Sequence, residues 1–158
     1  VTGVLVLPMP LSGGEIDGRA VAAHIRNMHG TVVVALEKVG AMPGQGSVSG
    51  FTFGKGFGLI QGVCAALNVR LELVTPQAWK KSVLAGLVPA KIPKIKGGTR
   101  EQEQAVKAAN KKAQKDAAVA YCGRAYPQIS LIPEGCRVPS DGLADALCIA
   151  EFAKRTYT

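Results

Sequence analysis

The chain has 158 residues, 47% of them hydrophobic, and a formal charge of +8 from 19 Lys/Arg against 11 Asp/Glu. That is enough for one domain with a sizeable core and too little for two, and no apolar run approaches the length of a membrane span. The first residues carry neither the basic n-region and cleavage pattern of a secretory leader nor an initiating Met, which leaves the natural start of translation open.

In chain order, Val4–Leu7 reads as a short strand ended by Pro8 and Pro10. A loop with Gly13 and Gly14 leads to Asp17, a helix cap, and Ala20, Val21, Ile25 and Met28 then recur at helical spacing until Gly30. Thr31–Leu36 is a continuous apolar strand of the kind covered on both faces. Gly40–Gly54 is rich in glycine and small polar residues and is expected to be a long loop. Phe57, Ile60, Cys64 and Leu67 mark a helix to about Asn68, and Val69–Val74 alternates as a strand with one covered face.

Thr75-Pro76 opens a helix through Trp79. Residues 86–99 hold Pro89, Pro93 and Gly97-Gly98 among lysines, so mobility is expected there. A helix-forming, alanine-rich stretch runs from Glu101 to about Cys122, and an irregular segment, Gly123–Pro139, contains three prolines. Ser140 then caps a last helix, Asp141–Arg155. Strands alternating with helices indicate an α/β class, and the sequence holds no internal repeat.

The whole excess of charge sits between Lys80 and Lys115, where ten Lys/Arg face two acids. Such a segment is either a solvated helix face or a polyanion-binding arm that gains affinity by releasing counterions from phosphates. The four cysteines (Cys64, Cys122, Cys136, Cys148) form no C-x-x-C pair, which argues against zinc and for buried thiols in a reducing compartment, with a Cys122–Cys136 disulfide as the alternative. His24 and His29 read as surface or capping residues. Trp79 is expected to pack under Lys80 and Lys81.

Three carboxylates stand out. Asp141 and Asp145 are four apart in "SDGLADALCIAEFAKR" and share a helix face that continues through Cys148 and Phe152. They are either a solvated acidic edge or, at the head of a buried stripe, a pair neutralised by the helix N-terminus and a cation. Glu37 ends a strand on the side where ligands of open α/β sheets gather. Hard oxygen donors without histidine favour Mg²⁺, with Mn²⁺ as a substitute, over zinc. Metal-assisted phosphodiester hydrolysis is the chemistry such a cluster performs on nucleic acid.

"VVVALEKVGAMPGQG", "FTFGKGFG", "LVTPQAWKK" and "DGLADALCIAEF", in this order, resemble the RuvC-type Holliday-junction resolvases of the ribonuclease-H-like superfamily, with the nearest likeness to phage-encoded and chloroplast members. The likeness covers roughly Val4–Leu84 and Lys115–Lys154. It implies a single RuvC-like domain over 1–158, with a ribonuclease-H-like mixed sheet flanked by helices. It also implies a homodimer that resolves four-way junctions by paired symmetric nicks with Mg²⁺, in the cytoplasm or, alternatively, an organellar nucleoid.

On this resemblance Glu37 is the metal-binding acid of the central strand, and Asp141 and Asp145 are the acidic pair of the last helix. Lys80 (alternatively Lys81) and Lys115 fall at catalytic or phosphate-contacting positions. The family's first-strand aspartate has no counterpart before Asp17; a second ion per site then needs a further carboxylate, and a branched-DNA-binding protein with weak or no cleavage is the alternative function. The basic segment at about 86–112 looks like an insertion outside the likeness. Its Lys94, Lys96, Lys111 and Lys112, with Lys38 and Lys81, are candidate DNA contacts.

"GKGFG" does not make a nucleotide-binding loop, because the P-loop spacing puts Ser49 at the first glycine and Gly56 at the hydroxyl position. Its glycines are expected instead to allow close approach of DNA or a second subunit, with Lys55 on phosphate. Phe51 and Phe53 are either wedges that stack on bases or core residues flanking a turn.

Overall fold

The computed structural model describes residues 3–38, 40 and 46–157. The chain is mixed α/β and divides into two compact units: Pro8–Pro76 with Ala153–Thr158, and Val1–Leu7 with Gln77–Phe152.

In the first of these, β1 (Leu11–Ser12) and β2 (Glu15–Ile16) form an antiparallel hairpin. Gly13 and Gly14 close it with φ of +59° and +81°, the positive φ that two-residue hairpin turns require. Asp17 caps α1 (Gly18–Arg26) by accepting from the amides of Arg19 and Ala20. Strand β3 (Val33–Glu37) then pairs in parallel with β4 (Arg70–Val74), from Val33 opposite Arg70 to Glu37 opposite Val74. Parallel strands cannot be joined by a tight turn, and the connection is α2 (Ser47–Ala66).

Helix α2 ends where Asn68 takes a left-handed φ of +51°. The amides of Asn68 and Val69 return to the carbonyls of Ala65 and Cys64, which satisfies the last turn. Ile25 of α1 and Ile60 and Cys64 of α2 centre the core, with Val34, Leu36 and Leu71 of the strands packed around them.

Three expectations change here. Val4–Leu7 is not a strand: no ladder among the described residues pairs with it, and Val4, Leu5 and Leu7 are exposed. A strand needs a hydrogen-bonding neighbour, and the prolines that bracket its end remove donors. Second, the loop expected over Gly40–Gly54 is helical from Ser47 onward, while Val39 and residues 41–45 lie outside the described residues. Glycine costs a helix about 1 kcal/mol per residue, and burial of Ile60 and Cys64 in the C-terminal half of α2 offsets that. Third, β3 is half-buried throughout, with β4 its one ladder partner among the described residues.

The glycines of α2 have two roles. A Cβ on Gly56 would come within 2.9 Å of Ile16 Cδ1, the flexible end of that side chain, so α2 packs against the hairpin here. Gly54, Gly58 and Gly62 repeat every fourth position on one face, and a Cβ there meets nothing within 4 Å. Gly54→Ala, Gly58→Ala and Gly62→Ala should therefore each stabilise the protein by about 0.5–1 kcal/mol, read as higher denaturant midpoints. A lowered midpoint would mean that this face is covered in solution.

The elements of the other unit are helical: α3 (Pro76–Val83) from Gln77, α4 (Arg100–Ala125), and α5 (Asp141–Tyr157) as far as Phe152. Pro76 stands at the first helical position of α3, and Trp79 and Val83, about one and two turns on, are buried. Thr99 and Gln102 form a reciprocal capping box at the start of α4. Ser140 caps α5 through its hydroxyl, which accepts from the Leu143 amide at 3.4 Å.

Small residues let α4 and α5 approach closely. Ala118, Cys122, Ala144 and Cys148 are all buried, with the Cys122 thiol 3.6 Å from the Ala144 carbonyl and 3.8 Å from Cys148 Sγ. Lys115 meets Asp141, Cys122 meets Ala144 and Cys148, and Tyr126 meets Glu151. The contacts advance together, so the helices run in the same direction. A parallel pair requires a return connection, supplied by residues 126–140 and anchored by buried Leu131, whose carbonyl accepts from the Ser140 amide at 2.8 Å. All four cysteines are thiols, and Cys122 lies with Cys148 instead of forming the alternative disulfide with Cys136. The Cys148 hydrogen bond lowers the Cys122 thiol's pKa, and burial raises that of Cys64.

Candidate active site

Asp141 is the first residue of α5 and Asp145 stands one turn later, both half-buried. Lys115, projecting from α4, forms an ion pair with Asp141. The hydrogen bond from Lys115 holds the Asp141 carboxyl below its ordinary range. Partial burial opposes that, and the charge of Lys115 and the amides of Asp141 and Gly142 reinforce it. In turn Lys115 is raised, first by its hydrogen bond and attraction to Asp141 and then, against some desolvation, by Asp145. The positive partner that an acidic pair at a buried stripe requires is thus supplied within this unit, and one net negative charge is left on the three groups.

The side chains of Lys115 and Asp141 are 44% and 46% exposed, so the pair contributes little to stability and its consequence is placement. The pH dependence follows from the two directions. Asp141, lowered, contributes fully above the unfolded carboxylate value near 3.8 and loses its contribution as pH falls through the folded value. Lys115, raised, contributes fully below its ordinary 10.5 and loses its contribution as pH rises through the folded value. The small Tm difference between wild type and Asp141→Asn should therefore be flat near neutrality and shrink below about pH 4. An undiminished difference in acid would show that the pair does not form.

Lys80 is held beside the same elements. Its ammonium donates to Gln114 Oε1 at 3.2 Å and lies 5.2 Å from the centre of the Trp79 ring. Trp79 is fully buried beneath it, as expected, while Lys81 is exposed. Adjacent residues of α4, Gln114 and Lys115, thus position one candidate lysine and supply the other. Glu37 belongs to the other unit, where it is the last residue of β3, half-buried opposite Val74 at the carboxyl end of the parallel pair. The Lys38 amide extends that ladder by bonding the Val74 carbonyl at 2.7 Å, with its side chain exposed.

The DNA-contact candidates are spread over both units. Phe51 and Phe53 are 75% and 52% exposed, so neither is a core residue. Two positions apart on a helix, they point to different faces and cannot stack on one base together. Lys55 is bonded by both carboxylate oxygens of Glu15 at 2.6 Å, and a phosphate there must compete with that pair. Lys112 is paired with Asp116 at 2.5 Å, and Lys96 is exposed. Lys94 and Lys111 line a groove beside α4.

Sequence reasoning missed Gln114, Asn110 and the Tyr126–Glu151 hydrogen bond of 2.5 Å. Asn110 and Gln114 did leave a signal, as two amides one turn apart in an otherwise alanine- and lysine-rich helix.

Within each unit, no three His, Cys, Asp or Glu side chains gather to hold one metal ion, among the described residues. That donor count suits Mg²⁺ all the same, because this ion is commonly held by one or two carboxylates together with water and substrate phosphate. Asp141 and Asp145 supply two hard oxygen donors on one helix face. No helix among the described residues is long and apolar enough to cross a membrane. Neither a family model nor a curated protein matches the chain.

Proposed function

We propose that the protein is a structure-selective, Mg²⁺-dependent endodeoxyribonuclease that resolves four-way junctions, a RuvC-type resolvase with a ribonuclease-H-like core acting as a homodimer in the cytoplasm. The observation that carries this reading is the head of α5, where two carboxylates share one face and Lys115 is bonded to the first of them. The resemblance also implies Glu37 as a metal-binding acid.

In this reading Asp141 and Asp145 would hold the cation, which when bound would stabilise the charge of the scissile phosphate and lower the pKa of attacking water. Lys115 keeps the Asp141 carboxylate oriented and ionised, and its remaining N–H groups are free to face a phosphate oxygen. Lys80, steadied by Gln114 and the Trp79 ring, offers a second ammonium to the strand. Two symmetric nicks require two such sites, hence two copies of the chain.

A second reading has an observation of its own. Lys115 already neutralises Asp141, and the α5 pair counts only two carboxylates, an arrangement that also suits a protein that binds branched DNA without cutting it. Incubating purified protein with an end-labelled four-way junction and Mg²⁺ separates the two. Paired nicks at symmetric positions are the expected result. Stoichiometric binding without nicks would transfer the conclusion to the second reading.

A further inference from the structure

We propose that residues 91–94 and α4 form a built groove for the phosphates of a nucleic-acid strand, with Lys91, Lys94, Lys107 and Lys111 as its cations. This rests on the nucleic-acid-binding part of the proposed function and specifies where that binding is concentrated.

The groove has a volume of about 460 Å³ and is lined by those four lysines and by a single acid, Glu103. It does not depend on a loose arm. Asn110 clamps the backbone of Ile92 at both polar atoms, accepting from its amide at 2.9 Å and donating to its carbonyl at 3.0 Å. That clamp fixes the register of the basic segment on the helix and sets Lys91 and Lys94 across from Lys107 and Lys111.

Four lysines line one concavity with a single acid, and Lys107 and Lys111 are also a like-charge i, i+4 pair on the helix. Such a convergence is relieved by a polyanion, which at the same time releases counterions to solution. Lysines bind phosphate as point charges.

Continuity favours a strand over a small phosphate compound. Gln114 lines the groove and holds Lys80, and Lys115, next to it in the chain, bonds Asp141. From Lys107 to Lys115 the helix advances about 12 Å at about 1.5 Å per residue. At about 3.4 Å of axis per charge on one strand, that spans three to four phosphates between groove and acidic pair.

The test is anisotropy of a labelled four-way junction in EDTA, so that no cleavage is required, from about 50 to about 200 mM KCl. Removing two phosphate contacts with Lys107→Gln/Lys111→Gln should flatten the salt slope by about 1.8, so that affinity falls about twelve-fold less over that range than in wild type. Arg19→Gln/Arg26→Gln, with the same loss of charge on α1, should leave the slope unchanged. Asn110→Leu keeps every charge and frees Ile92; it should weaken junction binding, because Lys91 and Lys94 lose their placement.

Equal flattening in both double variants would reduce the effect to overall charge and overturn the groove, as would an unchanged slope in the groove variant. Stoichiometric binding of inorganic pyrophosphate by wild type, with junction affinity unaltered in Lys107→Gln/Lys111→Gln, would assign the groove to small phosphate compounds and overturn it too. Failure of wild type to bind the junction at all would overturn the nucleic-acid reading itself, and the groove with it.

Discussion

Asp145→Asn and Glu37→Gln will each slow nicking of a four-way junction by about a thousand-fold or more at saturating Mg²⁺, with junction affinity in EDTA held near wild type. Metal coordination contributes several kcal/mol of transition-state charge stabilisation, and about 1.36 kcal/mol corresponds to each factor of ten in rate. Loss of one anionic ligand removes both charge and geometry from the cation, which accounts for three such factors. Both substitutions are nearly isosteric and replace partly exposed groups, so neither should disturb folding. Single-turnover nicking isolates the chemical step. Wild-type rates in Asp145→Asn would remove the α5 pair from the active site, and wild-type rates in Glu37→Gln alone would leave the pair and dismiss the third acid.

Lys115 gives that series its internal control. Because its ammonium already occupies Asp141, Lys115→Met is read by a different measurement in each functional reading. In a nuclease it removes a phosphate-facing donor and slows nicking. In a protein that binds without cutting it merely bares a carboxylate to the phosphates and weakens binding.

What the sequence made legible is local chemistry. Asp17 as a cap, Pro76 at the head of α3 and Ser140 at the head of α5 were readable because each is set by a few neighbours. The i, i+4 spacing of Asp141 and Asp145 was likewise enough to place them on one face. The glycines up to Gly54 misled, since composition predicts a loop wherever glycine accumulates, whereas α2 absorbs Gly50 and Gly54 through burial of Ile60 and Cys64 further along. Val4–Leu7 misled for the converse reason: β propensity has no effect without a neighbouring strand to pair with. The Lys115–Asp141 pair and the Asn110 clamp link residues 26 and 18 apart, and no pattern in a single chain encodes which distant polar groups will meet.

Trp79→Ala should produce the largest loss of stability, about 3–5 kcal/mol. The indole is the largest fully buried side chain, at 0% exposure, with Val83 and Leu84 buried beside it in sequence. Truncation removes its transfer free energy and leaves a cavity that the helices around it close only in part. Against a total of about 5–15 kcal/mol for a typical domain, that is enough to populate unfolded chains at physiological temperature. The measurement must be denaturant titration by circular dichroism, because Trp79 is the only tryptophan and the variant has no indole fluorescence. Trp79→Phe, which retains a ring in the same place, should recover most of the stability. It should also keep junction nicking close to wild type, since Lys80 still rests on an aromatic face with Gln114 at its ammonium. A loss below about 1 kcal/mol in Trp79→Ala, the range of surface substitutions, would contradict the burial of α3 and withdraw the support that sets Lys80 in place.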